Sequence, residues 1–148
     1  MNIRLLTIDD ADVFWQLRLE ALRNDPASFA ASAEEHLETT VETVRGLLSK
    51  SDPASNFVVG AFEDGQMIGT AGFFRRSNYK ERHKGHIWGL YVRPESRGKG
   101  VGSALMKEIV RRARTLDSLE QVTLVASAKL PAQRLYKALG FESYGIEP

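Results

Sequence analysis

Cysteine is absent from the sequence, which excludes a disulfide framework and covalent thiol chemistry. Charge of one sign is equally scarce. Lys and Arg number 20 against 19 Asp and Glu, so the net charge of +1 gives no overall attraction to nucleic acid or to a membrane. No apolar run approaches the roughly 20 residues that span a bilayer, and the start shows no signal-peptide pattern. The expected location is the cytoplasm. Three histidines are scattered without a cysteine or an HExxH pair, so no metal site is expected. What remains is ordinary for a globular chain: 148 residues, 43% hydrophobic and 26% charged, enough for one domain over 1–148.

Glycine, by contrast, is concentrated in one telling place. In Arg97-Gly98-Lys99-Gly100-Val101-Gly102-Ser103, glycines at alternate positions strip Cβ atoms from a turn and let a ligand touch the backbone. A strand-like segment, residues 86–92, precedes the turn, and a helix-like segment from Ala104 to about Leu116 follows it. The free N–H groups and positive dipole end of such a helix attract phosphate oxygens, and Arg97 and Lys99 add formal charge. The spacing is G-x-G-x-G, neither the dinucleotide fingerprint nor a P-loop. Read as R-x-x-G-x-G after a strand, it predicts a phosphate cradle rather than a plain surface loop.

The rest of the chain reads as β-α-α-β-β-β-α-β-α-β. Residues 2–6 suggest a strand, after which Thr7 or Asp9 caps a helix with the stripe Val13, Phe14, Leu17, Ala21, Leu22, ending before Asp25-Pro26. A second helix is expected over 41–48. Apolar runs 57–62 and 67–74 flank Asp64-Gly65, the pair that a primed hairpin turn prefers. Residues 75–84 form a polar loop, and their basic character reads as a solvated hairpin tip rather than a nucleic-acid site. A β-branched run over 121–125 predicts a buried strand. Pro131 opens a helix over 132–139 with Gly140 as its C′ residue, and 141–146 predicts a last strand.

The glycine turn resembles the acyl-CoA-binding motif of the GNAT superfamily of N-acetyltransferases. A second stretch, Ala132-Gln133-Arg134-Leu135-Tyr136-Lys137-Ala138-Leu139-Gly140-Phe141, matches that family's A-x-x-L-Y-x-x-x-G-F pattern. The two motifs span about 87–141, and the hairpin fits upstream. The resemblance implies an α/β fold with a mixed, mostly antiparallel sheet, a splayed parallel pair in its middle and about four flanking helices. It implies that the strand ending at Val92 and the strand starting near Gln121 part to admit a pantetheine arm. Leu90, Tyr91 and Val92 would then bind the arm and the thioester oxygen. Amides from Gly98 to Ser103 would hold the pyrophosphate of acetyl-CoA, each contact worth about 1 kcal/mol. Gln133 and Lys129 fall to the cofactor side, although the family often has Asn where Lys129 stands. The fold usually continues with another strand, whereas this sequence stops at Pro148. Either it is truncated, the edge stays open, or a neighbouring chain completes it as a homodimer, since open edges invite pairing.

By the same resemblance, His86, eleven residues before Arg97, is the candidate general base and Tyr136 the general acid. Strand alternation places His86, Trp88, Leu90 and Val92 on one face. Full proton transfer from a lysine-like amine to histidine is uphill by roughly 5 kcal/mol, so His86 would act through water or as the adduct forms. A phenol protonating a thiolate is uphill by only about 2 kcal/mol. The bland alternatives are a strand-end histidine that bonds backbone and a tyrosine that packs under the cofactor. Nine acids lie between Asp9 and Glu42 against Arg18 and Arg23, mostly a solvated helical face. Glu34 and Glu35 are the candidates for attracting a cationic amine. The expectation is N-acetylation of a small primary amine by direct attack in a ternary complex. The rivals are a protein lysine or N-terminal acetyltransferase and a non-catalytic acyl-CoA-binding domain.

Overall fold

The computed structural model describes residues 1–24, 33–49, 56–75, 80–124 and 136–141. Its frame is a five-stranded sheet in sequential order: β1 (Asn2–Leu5), β2 (Asn56–Glu63), β3 (Gln66–Arg75), β4 (Lys84–Val92) and β5 (Gln121–Leu124). The first four strands pair antiparallel, and β4 and β5 pair in parallel. Parallel neighbours need a crossover, and the chain supplies it with a helix. Among the described residues the helices are α1 (Ala11–Asn24), α2 (Ala33–Leu37), α3 (Val41–Ser49) and α4 (Val101–Ala113), and residues 136–138 are also helical.

Two apolar clusters sandwich the sheet. On one face Leu105, Met106, Ile109 and Ala113 of α4 meet Phe57, Val59, Ala61, Ala71, Phe73 and Ile87. On the other, Phe14, Leu17 and Ala21 of α1 and Val44 and Leu48 of α3 meet Val58, Met67 and Tyr91. Because both faces are covered, β2 and β3 are buried almost continuously and lack the polar alternation of a half-exposed strand. Each fully buried large side chain here contributes about 1.5–3 kcal/mol relative to exposure.

The Asp64-Gly65 hairpin forms as expected: both residues have positive φ, 51° and 79°, the signature of a type I′ turn. Other expectations need adjustment. The helix after the glycine turn starts at Val101, three residues earlier than the pattern suggests, and ends at Ala113. An additional helix, α2, precedes α3; it has five residues, too few for a period to register. Thr7 caps a 3-10 turn, Ile8–Asp10, that leads into α1, and the Asp10 carboxylate accepts the Thr7 N–H at 2.7 Å. Arg4 donates two hydrogen bonds to the same carboxylate at 2.8 and 2.9 Å, fixing β1 to the start of α1. Among the described residues β5 is an edge strand; the expected last strand and the start of the helix at Pro131 lie outside them. Among those residues too, no helix is long and apolar enough to cross a membrane.

Candidate active site

At the end of β4 the chain makes a 3-10 turn, Pro94–Ser96, and then the glycine turn that opens α4. Gly98 and Gly100 have φ of +78° and +83°, left-handed values that only glycine adopts cheaply. A Cβ built on either would meet nothing within 4 Å, so the backbone here faces open space. Gly102 is different, lying inside α4 without positive φ. Gly100 is the N-cap and brings no side-chain cap. The first amide to reach back is that of Ala104, donating to the Gly100 carbonyl at 3.0 Å, so the amides of Val101, Gly102 and Ser103 lack intrahelical acceptors. Arg97 ties the turn to β4: its Nε donates to the Val92 carbonyl at 2.9 Å, and its guanidinium lies 5.5 Å from the Tyr91 ring centre. Lys99 is exposed.

β4 is bulged where the site needs it. Thr70 of β3 pairs with Tyr91, but Gly72 pairs with Trp88, so β4 spends three residues against two on its partner. Gly89, with φ of +67°, takes up the extra step. The strict alternation expected from sequence therefore fails. Trp88 and Tyr91 pack on the α1 side, and His86 shares it, while Ile87, Leu90 and Val92 turn toward α4. Leu90 and Val92 thus do not share the face of His86 and Trp88. The Tyr91 ring is buried away from the α4 side: its hydroxyl donates to Glu20 at 2.9 Å and accepts from Asn24 at 3.1 Å, and burial pushes the phenol pKa up.

His86 sits next to the last described pair of the parallel ladder, opposite Thr123. Its Nδ1 lies 2.7 Å from Thr123 Oγ1, and its ring stacks on Phe74 with centres 6.5 Å apart. Thr123 Oγ1 in turn donates to the Gly85 carbonyl at 3.4 Å. With the hydroxyl proton directed there, the oxygen accepts from Nδ1–H and leaves Nε2 as the basic nitrogen. Tyr136 belongs to the opposite face, packed against the α4 cluster and edge-on to Phe141 at 6.3 Å. Burial raises its pKa above the ordinary phenol value. Its helix closes as expected: Phe141 N–H reaches the Tyr136 carbonyl and Gly140 N–H the Lys137 carbonyl, both at 3.0 Å, with Gly140 at φ +93°.

Glu34 and Glu35 are exposed in the first turn of α2, in the helical layer opposite α4. That short helix is pinned by a buried His36, whose Nε2 lies 3.0 Å from the Trp15 carbonyl and whose ring stacks on Trp15 at 4.8 Å. Trp15 Nε1 donates to the Thr39 carbonyl at 2.8 Å. Lys129 and Gln133 lie outside the described residues. Sequence reasoning missed Arg18, whose guanidinium lies 5.5 Å from the Trp88 ring centre. Its spacing from Phe14 and Ala21 puts it on the buried stripe of α1, a readable signal. Among the described residues no group of three or more His, Asp or Glu is placed to hold a metal.

Comparison with known proteins bears on this geometry. Residues 14–141 match the Acetyltransferase (GNAT) family. An uncharacterized N-acetyltransferase of Schizosaccharomyces pombe is 46% identical over 54 residues, 36% of this chain and 33% of that protein. An L-methionine sulfoximine/L-methionine sulfone acetyltransferase of Pseudomonas aeruginosa is 36% identical over 59 residues, 40% of this chain and 34% of that protein. The matches thus span about a third of the length of these curated relatives. An acetyltransferase of Streptococcus pneumoniae superposes with a TM-score of 0.82 at 21% identity, covering 94% of this chain and 82% of that one. A Clostridium acetobutylicum acetyltransferase solved with acetyl-CoA gives 0.73 at 22% identity, covering 99% and 94%. These structural likenesses establish the fold.

Proposed function

Since the chain belongs to the GNAT acetyltransferase family, we propose that it is an acetyl-CoA-dependent N-acetyltransferase whose acceptor is a primary amine on a small molecule. One observation carries the reading: glycines at positive φ leave the turn before α4 open, and the first amides of α4 have no intrahelical acceptor, beside the end of a bulged strand. Those amides, from Gly98 to Ser103, suit a diphosphate, and Lys99 supports it with charge. Leu90, Tyr91 and Val92 offer backbone groups to the pantetheine arm, and Gln133 and Lys129, outside the described residues, keep the cofactor-binding role the sequence pattern implies for them.

When bound, acetyl-CoA supplies a thioester carbon to which the amine nitrogen bonds as the carbon–sulfur bond breaks. His86 accepts the amine proton at Nε2, directly or through a water, with Thr123 holding its tautomer. Tyr136 gives its hydroxyl proton to the departing sulfur. The two act from opposite faces of the sheet, so the base meets the acceptor and the acid meets the thiolate. Glu34 and Glu35 draw the ammonium form of the acceptor toward the α1–α2 layer. The name of the Pseudomonas relative favours a small acceptor over a peptide.

Free thiol released from acetyl-CoA, measured with a panel of small amines and of lysine and N-terminal peptides, tests this. Release with small amines is expected. Release with peptides alone would favour protein acetylation, and CoA binding with no release on any amine would favour a non-catalytic binding domain.

A further inference from the structure

The most unusual side chain outside the proposed catalytic pair is Arg18. It sits at mid-length in α1, on the helix face that carries Phe14, Leu17 and Ala21 into the apolar cluster against the sheet. A surface arginine on this helix would point the other way. Its guanidinium crosses to β4 at the bulge: it lies 5.5 Å from the Trp88 ring centre, and Nη1 is 3.2 Å from where a Cβ on Gly89 would stand. Glycine at that position, already required by φ, is therefore also what leaves room for the cation. Burial lowers the arginine's pKa.

The location matters more than the burial. The bulge begins just past Ile87, which makes the last described pair with β5, and three residues on from His86 on the face that His86 and Trp88 share. A guanidinium offers a rigid fork of donors matched to a carboxylate, and it binds most tightly where water is excluded. We infer that Arg18 holds the carboxylate of the acceptor, so that the acceptor is an amine carrying an anionic group on the neighbouring carbon, the class of α-amino acids and their analogues. The inference deepens the proposed acetyltransferase reading and rests on it. In an α-amino acid the amine and the carboxylate share one carbon. A carboxylate seated on Arg18 therefore leaves the nitrogen beside the bulge, on the His86 side of the strand. Trp88, under the guanidinium, restricts how the pair can swing.

The test uses the intact chain with acetyl-CoA and a panel of α-amino acids, L-methionine sulfone included, each beside its own carboxamide. The wild-type kcat/KM is expected to favour the carboxylate over the matched carboxamide by about 100-fold, the scale of losing one partner of a desolvated charge pair. Arg18→Gln is expected to bring that ratio near one while the KM for acetyl-CoA stays unchanged. Wild-type enzyme that acetylates both members of each pair alike overturns the inference, as does a variant that loses both activities in equal proportion. If Arg18→Gln does not fold, Arg18→Lys decides. It keeps the charge but not the fork, and a ratio reduced about tenfold supports the assignment whereas an unchanged ratio refutes it. No release with any amino acid while amines without a carboxylate are acetylated also overturns the inference, whereas failure of the underlying reading shows as no thiol release with any amine at all.

Discussion

Two side chains carry the proposed proton transfers, and each has an observable of its own. Replacing Tyr136 by Phe is expected to lower kcat by about 100-fold or more, the usual contribution of a positioned acid, while acetyl-CoA affinity changes little. Equal losses in turnover and affinity would mark Tyr136 as packing. The sign of its pH effect follows from burial, which raises the phenol pKa. A general acid must hold its proton, so the alkaline loss of activity should fall above the ordinary phenol range near 10. At His86 the tautomer depends on Thr123, 2.7 Å away. Thr123→Val removes the acceptor for Nδ1–H. The expected result is a lowered kcat with acetyl-CoA affinity little changed, and a kcat identical to wild type would exclude the relay.

Among the secondary-structure elements, the bulge in β4 and the lock between β1 and α1 are the features to probe. Gly89→Ala forces a Cβ into a left-handed backbone at +67° and to 3.2 Å from the Arg18 guanidinium. A loss of about 1–2 kcal/mol is expected, visible as a melting temperature lower by a few degrees. An unperturbed melting curve would contradict the bulge. Asp10 gives a pH test. Its carboxyl is held below the ordinary value chiefly by the hydrogen bonds from Arg4, so the unfolded state binds more protons near pH 4. The stabilisation is present above the unfolded pKa of about 3.9 and disappears as pH falls through the lower folded value. Asp10→Asn should destabilise at neutral pH by about 1 kcal/mol and flatten acid unfolding, and an unchanged acid limb would argue against the pair.

These elements also separate what is legible in the amino-acid sequence from what is not. Local chemistry is legible: Asp64-Gly65 specifies its own turn, Gly140 its own helix end, and the glycines after β4 their left-handed conformation. The placement of His86 relative to Leu90 and Val92 is not. One residue inserted at Gly89 reverses the phase of everything beyond it, and alternation cannot reveal that without the register of β3. α2 leaves no pattern because five residues carry no period, and its anchor, His36 on Trp15, joins positions 21 apart. The place of Arg18 on the buried stripe of α1 is legible from its spacing to Phe14 and Ala21, but its contact with Trp88 is not, because β4 is distant in sequence.

Taken as a whole, the molecule sets the glycine-opened start of α4 on one side of its sheet and a helical layer bearing Arg18, Glu34 and Glu35 on the other, with β4 between them. The acidic first turn of α2 should make amine binding sensitive to salt, weakening as ionic strength rises. The proposed activity depends above all on main-chain amides gripping a diphosphate, and calorimetric titration with CoA and with pantetheine, which lacks that group, tests this directly. CoA is expected to bind at least about 100-fold more tightly, the sum of several amide contacts of about 1 kcal/mol each. Equal affinities for the two, or no affinity for CoA, would contradict it.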